Sequence, residues 1–209
     1  MNSPTKTVHV LVLYYSMYGN VYRMAQAVAE GVREVPGIQV AVKTVPELIP
    51  EAVIQSNQAM KAAKELQKDV PVATVDDLTS ADAVLVGSPT RFGNMCAQMR
   101  NFWDRTSSLW MNGSLIGKPA GVFCSTASLH GGQETTLLSM MLTLLHHGML
   151  IVGVPYSVPE LVTTTQGGTP YGPSHTAGPK GELPLTNEER VICRAFGRRV
   201  AEVTKRLHG

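Results

Sequence analysis

A short glycine-containing turn near the N-terminus constrains this chain most, because a strand pattern precedes it and a helix pattern follows it. The apolar segment at residues 8–14 predicts a buried strand. After the turn, apolar residues recur at helical spacing and form a single stripe: Val21, Met24, Ala25, Val28 and Val32. A tight turn between a strand and a helix points several backbone N–H groups at one spot, where the helix dipole adds positive charge. The turn at residues 16–21 therefore predicts an anion site.

This turn lacks two familiar nucleotide-binding patterns. No G-x-x-x-x-G-K-[ST] occurs, so no lysine reaches toward a β- or γ-phosphate, and no G-x-G-x-x-G occurs either. A short loop with the hydroxyl of Ser16 suits one terminal monophosphate better than a triphosphate or a pyrophosphate. Flavin mononucleotide, FMN, carries such a group. Ser16 and Asn20 have an alternative role as caps of the following helix, for which Asn20 has the better position.

The same order of strand and helix repeats along the whole chain. Further strands are predicted at residues 38–43, 81–87, 120–124 and 149–152. Helices are predicted at about 51–66, 96–109, 134–147 and 187–207. Gly148 is placed to end the third of these helices, and Thr186 with Glu189 resembles a capping box for the last. Strands and helices in alternation predict a doubly wound, five-stranded parallel sheet of the α/β class.

Length and composition restrict the classes of protein that fit. A chain of 209 residues suits a single domain with two long insertions, at about 44–80 and 153–185. The net charge of +2 is too small to indicate a nucleic acid or an anionic membrane as partner. No apolar run approaches the roughly 20 residues that span a bilayer. Three widely spaced cysteines, Cys96, Cys124 and Cys193, form no metal-binding pair and favour a reducing, cytoplasmic setting.

Three of the predicted strands end in loops that differ from ordinary connections, at residues 16–21, 88–94 and 125–132. In an open parallel sheet the carboxyl ends of the strands share one edge, and ligands bind beyond it. Together these loops offer one phosphate site and many hydrogen-bond donors for a planar heterocycle. Arg91 is then either a partner of that ligand or an ordinary solvated residue, and Phe92 is either a ligand contact or part of the core.

Other aromatic residues and two histidines also have two interpretations each. Tyr18, Trp110 and Tyr171 lie in loops or at element ends, where aromatic side chains serve as stacking platforms or as structural contacts. His146 and His147 end a predicted helix, where a protonated imidazole interacts favourably with the dipole. Adjacent helical positions point to different sides, so the pair predicts no metal site. In the functional interpretation, one of the two faces the active site.

Five motifs together resemble those of one known family. They are Y-Y-S-M-Y-G at residues 14–19, G-S-P-T-R-F-G-N-M at 87–95, G-Q-E at 132–134, H-H-G-M at 146–149 and G-G-T-P-Y-G at 167–172. In this order they resemble the WrbA-type NAD(P)H:quinone oxidoreductases over essentially the whole chain. The resemblance implies a flavodoxin-like fold, FMN as cofactor, two-electron reduction of quinones to hydroquinones by NADH or NADPH, and a homotetramer in exchange with a dimer. For such a reaction we predict a ping-pong transfer of hydride through the flavin, with no catalytic side chain, since the flavin carries the chemistry.

The resemblance assigns site residues position by position. The phosphate is expected at Ser16, Met17, Tyr18, Gly19, Asn20 and Val21, and the flavin along Pro89, Thr90, Arg91, Phe92 and Gly93. A third flavin loop comprises Ser125, Thr126, Ala127, Ser128, Leu129, His130 and Gly131. By the same resemblance His146 approaches the cofactor, Tyr18 contacts the nicotinamide cofactor, and Trp110 lies on the substrate side. The chain departs from the family at the third loop, which is less glycine-rich and one residue longer, and at Asn20, where some relatives have histidine.

Two other functions are alternatives. A flavodoxin-type carrier would pass single electrons to a protein partner, but the slightly basic charge and the long insertion at 153–185 disfavour it. A regulatory protein is the second, because the family's historical name refers to binding a tryptophan repressor, yet no segment resembles a DNA-reading module. No acid that reads a ribose and no arginine that reads a 2′-phosphate is identifiable. NADH and NADPH therefore remain alternatives, and so does the identity of the quinone.

Overall fold

The computed structural model describes residues 7–208. Its strands are β1 (Val8–Tyr14), β2 (Ile38–Thr44), β3 (Ala83–Arg91), β4 (Asn94–Met95), β5 (Pro119–Thr126), β6 (Leu150–Ile151) and β7 (Ser174–Thr176). Its helices are α1 (Asn20–Arg33), α2 (Glu51–Ser56), α3 (Gln58–Leu66), α4 (Asp76–Ser80), α5 (Ala97–Asp104), α6 (Ser107–Met111), α7 (Gln133–His146), α8 (Glu160–Thr163) and α9 (Asn187–His208). No helix among these residues is both long enough and apolar enough to cross a lipid bilayer.

Five parallel strands form the centre of the molecule, in the order β2-β1-β3-β5-β6. The chain moves outward from β1 to β2 on one side, and from β3 through β5 to β6 on the other. The strand order therefore reverses between β1 and β3, which is where doubly wound sheets bind their ligands. The expected flavodoxin-like, five-stranded parallel sheet is confirmed. Two short strands extend it: β4 pairs antiparallel with β3, and β7 pairs parallel with β5.

Two apolar cores lie on opposite faces of this sheet. One contains buried residues of α5 and α7, and the other contains buried residues of α1 and α9. The central strands supply both cores: Leu11 and Leu13 of β1 belong to the first, and Val10 and Val12 to the second. A strand that is covered on both faces has apolar residues in succession instead of alternation, which explains the sequence pattern at residues 8–14.

The outer neighbour of β5 is interrupted. β6 pairs with the start of β5, at Pro119 and Ala120, and β7 pairs with its end, from Cys124 to Thr126. The chain between β6 and β7 leaves this edge of the sheet and then returns to it, so the strand predicted at 149–152 is only two residues long in the structure. β7 leads the chain back to the carboxyl end of β5, at the edge where the predicted loops lie.

Several local predictions are confirmed, two alternative roles are excluded, and one prediction is wrong. Gly148 ends α7 with a left-handed φ of 73°, and Thr186 and Glu189 form the capping box with reciprocal bonds of 3.1 and 2.9 Å. Asn20 is not a cap, because Gly19 occupies the N-cap position and α1 has no side-chain cap. Phe92 is fully exposed and not part of the core.

The wrong prediction concerns helix continuity. The sequence predicts one helix at 96–109, but the chain forms α5 and α6, separated where Thr106 Oγ1 donates to the carbonyl oxygen of Trp103 at 2.6 Å. The helical stretch at 51–66 is also divided, because Asn57 leaves the helical conformation and its side chain accepts from the N–H of Met60 at 3.1 Å. Asparagine and threonine side chains compete for backbone groups in this way.

Candidate functional site

A cavity of about 400 Å³ opens at the carboxyl ends of β1, β3 and β5. This volume lies within the range of roughly 300–1,000 Å³ that is typical of small-molecule sites. Four segments line it, together with Asn57 and Ala59 from the start of α3. From the loops, the lining residues are Ser16, Met17, Tyr18, Asn20, Val21, Pro89, Thr90, Arg91, Ser125, Thr126 and Ala127. The fourth segment is residues 177–181.

The loop after β1, residues 16–21, presents unpaired backbone donors. Gly19 takes a left-handed φ of 86° and turns the chain into α1. Ser16 is only 2% exposed, and Val21 is 1% exposed. In the part of the chain that the structure describes, the six backbone N–H groups from Ser16 to Val21 donate to no protein acceptor. Because buried N–H groups are nearly always paired, this arrangement fits a bound anion such as a phosphate.

A polar contact from α3 holds this loop from behind. Gln67 Nε2 donates to the carbonyl oxygen of Ser16 at 3.2 Å, and the amide oxygen of Gln67 accepts from the hydroxyl of Tyr14 at 3.0 Å. Next to it, the hydroxyl of Tyr15 donates to Glu47 at 3.0 Å, and Lys64 forms an ion pair with the same carboxylate. These contacts hold the carbonyl group of Ser16 and the side chains of the two tyrosines that precede it, so the start of the loop is anchored from the side of α3.

The pKa of Glu47 is perturbed by this environment. Burial on its own would raise the pKa of this carboxyl group, but hydrogen bonds from Lys64, the backbone of Ile49 and Tyr15, with the charge of Lys64, lower it to about 2. Burial raises the pKa of the Tyr15 hydroxyl well above its ordinary value, and the negative charge of Glu47 adds to the effect. At neutral pH the pair is therefore a carboxylate with a neutral phenol that donates to it.

The end of β3 places one cation over the first loop. Arg91 Nη2 lies 3.5 Å from the sulfur of Met17, and Nη1 donates to the carbonyl oxygen of Thr90 at 2.8 Å. Phe92 and Gly93 then take φ values of 52° and 78° and reverse the chain into β4, as the central residues of a type I′ turn do. Phe92 is the only residue other than glycine with a positive φ among residues 7–208. Its side chain is fully exposed and does not line the cavity.

The last two residues of β5 and the residue that follows them line the cavity. Ser125 and Thr126 are buried where β5 lies between β3 and β7, and Ala127 follows them. Thr126 Oγ1 donates to the carbonyl oxygen of Ser128 at 2.8 Å and turns the chain away. The remaining residues assigned to this loop do not line the cavity: Ser128, Leu129, His130 and Gly131. Gly19, Phe92 and Gly93 also stand outside the lining, and the roles of all seven stay predictions.

The fourth segment was not among the residues assigned from sequence. It follows β7 directly, and Gly178 and Gly181 take φ values of 80° and 70°. Asn20 Nδ2 donates to the carbonyl oxygen of Gly181 at 3.2 Å, so the segment is tied to the loop at residues 16–21. Two glycines in a segment rich in Gly and Pro are a signal for such a turn. The sequence pattern, however, does not show which loop it approaches.

A buried carboxylate holds the fourth segment in place through β7. Glu189 is 1% exposed. Its Oε1 accepts from the N–H groups of Gly167 at 2.9 Å and Thr176 at 3.0 Å, and its Oε2 accepts from Thr186 at 2.9 Å. His175 Nδ1, also fully buried, lies 2.8 Å from Oε2. Burial opposes ionisation of Glu189, but the hydrogen bond and charge of His175, with the backbone N–H groups of Thr186 and Thr176, outweigh it and lower the pKa of Glu189.

A second cavity, of about 530 Å³, lies between α5, α6 and α7. It contains His146 and Trp110, two residues that the resemblance assigns to the cofactor and substrate, together with Trp103 and His147. His147 Nε2 lies 2.9 Å from the hydroxyl of Thr106, and burial, followed by the charge of His146, lowers the pKa of His147. The two cavities share no lining residue. Within residues 7–208, no cluster of three or more His, Cys, Asp or Glu side chains is arranged to hold a metal ion.

Comparison with known proteins agrees with this architecture. The model of a family described as NADPH-dependent FMN reductase matches residues 8–161. A protein named NAD(P)H dehydrogenase (quinone) from Solidesulfovibrio magneticus is 52% identical over 202 residues, which are 96% of this chain and 99% of that protein. A protein of the same name from Geobacter sulfurreducens is 50% identical, with 97% of this chain and 100% of that protein covered.

Solved structures give the same result at the level of the fold. A flavodoxin described as a WrbA-like protein, from Agrobacterium tumefaciens, superposes with a TM-score of 0.62 at 26% identity, covering 97% of this chain and 99% of that one. A flavodoxin from the domain Archaea has a TM-score of 0.61 at 20% identity, covers 95% of this chain and 99% of that one, and shares the fold. On its sequence, its strand order and the place of its cavity, the chain belongs to the NADPH-dependent FMN reductase family, with a WrbA-like flavodoxin fold.

Proposed function

We propose that this protein is an FMN-dependent NAD(P)H dehydrogenase that reduces quinones to hydroquinones. One observation carries the proposal: the loop at residues 16–21, whose six backbone N–H groups have no acceptor within residues 7–208, contributes five of its six residues to the lining of a cavity of about 400 Å³ at the switch point of a flavodoxin-like sheet. The relatives named NAD(P)H dehydrogenase (quinone) match nearly the whole chain and support the same activity.

The residues present fit FMN. The loop at residues 16–21 would hold the phosphate, because its donors are unpaired and α1 begins there. Thr90, Arg91, and Ser125 through Ala127 would hold the flavin ring, since they line the cavity beyond that loop. When bound, FMN supplies the two-electron chemistry, which no side chain of this site provides.

Arg91 has the most direct electrostatic role among the lining residues. Its guanidinium lies over Met17 at the mouth of the cavity, and no lining residue within 7–208 is acidic. A fixed positive charge at this position stabilises negative charge that develops on a bound heterocycle. Tyr18 also lines the cavity, is partly exposed, and offers an aromatic face for the nicotinamide ring and the quinone in turn. Use of one slot by both substrates gives the ping-pong scheme.

The second cavity supports assembly as a homotetramer. Leu138, Leu142 and Leu145 of α7 form an exposed apolar stripe, although the opposite side of this helix is already buried in the core. A helix that is apolar on both sides is normally covered on both. His146 and Trp110 lie in the second cavity of their own subunit, so they would contact the cofactor of a neighbouring subunit.

Cytoplasmic location is part of the proposal, supported by the free, buried thiols of Cys96, Cys124 and Cys193.

Spectroscopy and steady-state kinetics test this function. The purified protein is expected to be yellow with bound FMN and to oxidise NADH or NADPH rapidly only when benzoquinone is present. Double-reciprocal plots at several quinone concentrations are expected to give parallel lines, as a shared slot requires. A colourless protein that takes up no added FMN would contradict the proposal, and intersecting lines would contradict the shared slot.

Sedimentation velocity with and without FMN tests the tetramer, which ligand binding is expected to stabilise.

A further inference from the structure

The fourth segment, residues 177–181, brings a charge to the cavity that no motif assigns. Lys180 and Arg91 are the two basic side chains that line the cavity, and no carboxylate of residues 7–208 lines it. The ammonium group of Lys180 donates to no protein group in the described chain, whereas its backbone N–H donates to Glu182 Oε2 at 2.8 Å. Glu182 itself stands outside the cavity lining. Lys180 is therefore a cation at the cavity without an internal partner.

The position of Lys180 is fixed by its neighbour, which packs against the phosphate-binding loop. Asn20 Nδ2 donates to the carbonyl oxygen of Gly181 at 3.2 Å. A methyl group added to Gly181 would lie 3.2 Å from the same nitrogen and 4.0 Å from Cβ of Tyr18. Arg91, in contrast, lies over Met17. The two cations thus approach the cavity from different segments. Lys180 belongs to the segment that lies next to residues 18 and 20.

The phosphate-binding loop has no charged side chain of its own. Its residues are Ser16, Met17, Tyr18, Gly19, Asn20 and Val21. A phosphate monoester carries about −1.5 to −2 charges at pH 7, whereas a helix N-terminus supplies only about half a positive charge. Arg23 is the next cation along α1, but it donates to Asn20 Oδ1 at 3.3 Å and does not line the cavity. Lys180, which lines the same cavity and whose ammonium group has no acceptor within residues 7–208, is available to supply this counter-charge.

We propose that Lys180 binds the phosphate of FMN and makes the site selective for the phosphorylated flavin over riboflavin. The inference rests on the proposed binding of FMN and adds a residue from a segment 160 positions away from the loop. The bond is a charge-assisted contact between the ammonium group and a phosphate oxygen. Because Lys180 is exposed in the protein alone, its replacement leaves the fold unchanged.

The test is titration of the flavin-free protein with FMN and, separately, with riboflavin, followed by quenching of flavin fluorescence. We expect Lys180→Gln to weaken FMN binding roughly three- to fivefold and Lys180→Glu about tenfold, at about 0.02 M salt. Riboflavin binding is expected to change less than about twofold, and the effect on FMN to shrink at about 0.5 M salt. The matched control is Lys205→Gln, since Lys205 is exposed on α9 and donates to Pro36, before β2, at the opposite edge of the sheet.

Each outcome decides the proposal. Loss of affinity for FMN alone, with an unchanged thermal midpoint, supports it. Equal losses for FMN and riboflavin, or no loss in either variant, overturn it. If FMN binding is unchanged but Lys180→Gln raises KM for NADPH and not for NADH, the lysine reads the phosphate of the nicotinamide cofactor, and the proposal is also overturned. Wild-type protein that binds no FMN at all would contradict the proposed function instead, so the two failures are distinguishable.

Discussion

Two walls of the cavity, the loop at residues 16–21 and the fourth segment at residues 177–181, are supported in different ways. An acid lies next to each: Glu47 accepts from the hydroxyl of Tyr15, which precedes the loop, and Glu189 accepts from the N–H of Thr176, which precedes the fourth segment. Glu47 is partly exposed and pairs with a lysine, whereas Glu189 is fully buried and bonds to three backbone N–H groups and a buried histidine. Loss of the carboxylate is therefore expected to lower the free energy of unfolding more at Glu189 than at Glu47.

The difference follows from how each wall is encoded. The first loop is a local structure, because a strand, a glycine and a helix follow one another within the chain. The fourth segment depends on contacts between separate parts of the chain. The carboxylate of Glu189 joins these parts, because it accepts from the backbone N–H groups of Gly167, Thr176 and Thr186. A buried acceptor that satisfies several donors is costly to remove, since every donor loses its partner. A surface pair is worth much less.

The largest effect is expected for Glu189→Gln. The amide keeps one acceptor oxygen but turns an N–H₂ group toward donors, so that at least one buried backbone N–H loses its partner. We expect the free energy of unfolding to fall by about 3 kcal/mol. FMN affinity is expected to fall with it, because the fourth segment is no longer held. Urea denaturation and flavin titration measure the two effects.

The matched control for this variant is Glu34→Gln, because Glu34 is a surface acid paired with Arg194 and Arg198 on α9. It is expected to cost less than about 1 kcal/mol and to leave FMN affinity unchanged. If both variants destabilise the protein equally, the distinction between the two kinds of support is wrong. If Glu189→Gln unfolds the protein at 25 °C, the FMN titration is repeated at 10 °C with an osmolyte such as TMAO, which strengthens the folded state.

The sequence predicts the loop at residues 16–21 much better than the fourth segment. β1, the loop and α1 follow from apolar periodicity and one glycine, and the capping box at Thr186 follows from spacing alone. β7 has only three residues, serine, histidine and threonine, and carries no apolar pattern. Its strand conformation comes from pairing with β5 and from the contact of His175 with Glu189. Such contacts between distant residues leave no periodic signal in a single sequence.

The separation of the two cavities was equally beyond the sequence. Resemblance places His146 and Trp110 with the cofactor, but the chain alone does not show whether they reach it within one subunit. The break of the helix at Thr106 sets α6 and Trp110 apart from α5, and this break depends on a side-chain bond to Trp103. Competition between side chains and backbone is decided by local geometry, which composition does not reveal.

A smaller effect is expected when the geometry of the first wall is altered directly. Gly19 has φ of 86°, and a methyl group there would lie 3.2 Å from the guanidinium of Arg23. We expect Gly19→Ala to cost about 1–2 kcal/mol of stability through backbone strain and to weaken FMN binding at least about tenfold, since the N–H groups no longer converge. Thermal unfolding and flavin titration check both.

Gly37 provides the control for this variant. It has nearly the same φ, 82°, and nothing lies within 4 Å of an added methyl group. Gly37→Ala is therefore expected to cost similar stability from the same strain, with FMN affinity unchanged. A loss of FMN affinity in both variants would mean that strain, and not the direction of the N–H groups, weakens binding.

The smallest effect concerns the acid behind the first wall and depends on pH. The pKa of Glu47 is about 2 in the folded protein, below its ordinary value of 4.5, so its contacts stabilise the fold fully above about pH 5. This stability is lost as the pH falls toward 2, where the carboxyl group takes up a proton. Because Glu47 is partly exposed, we expect Glu47→Gln to cost only about 1 kcal/mol at pH 7, and the urea midpoints of variant and wild type to converge below about pH 3.

Glu65→Gln is the control, since Glu65 is an exposed acid paired with Lys68. Its urea midpoint is expected to run parallel to that of the wild type over the whole pH range. A constant gap between Glu47→Gln and wild type from pH 7 to 3 would show that the carboxylate charge does not support this wall, and that only the packing of its side chain does.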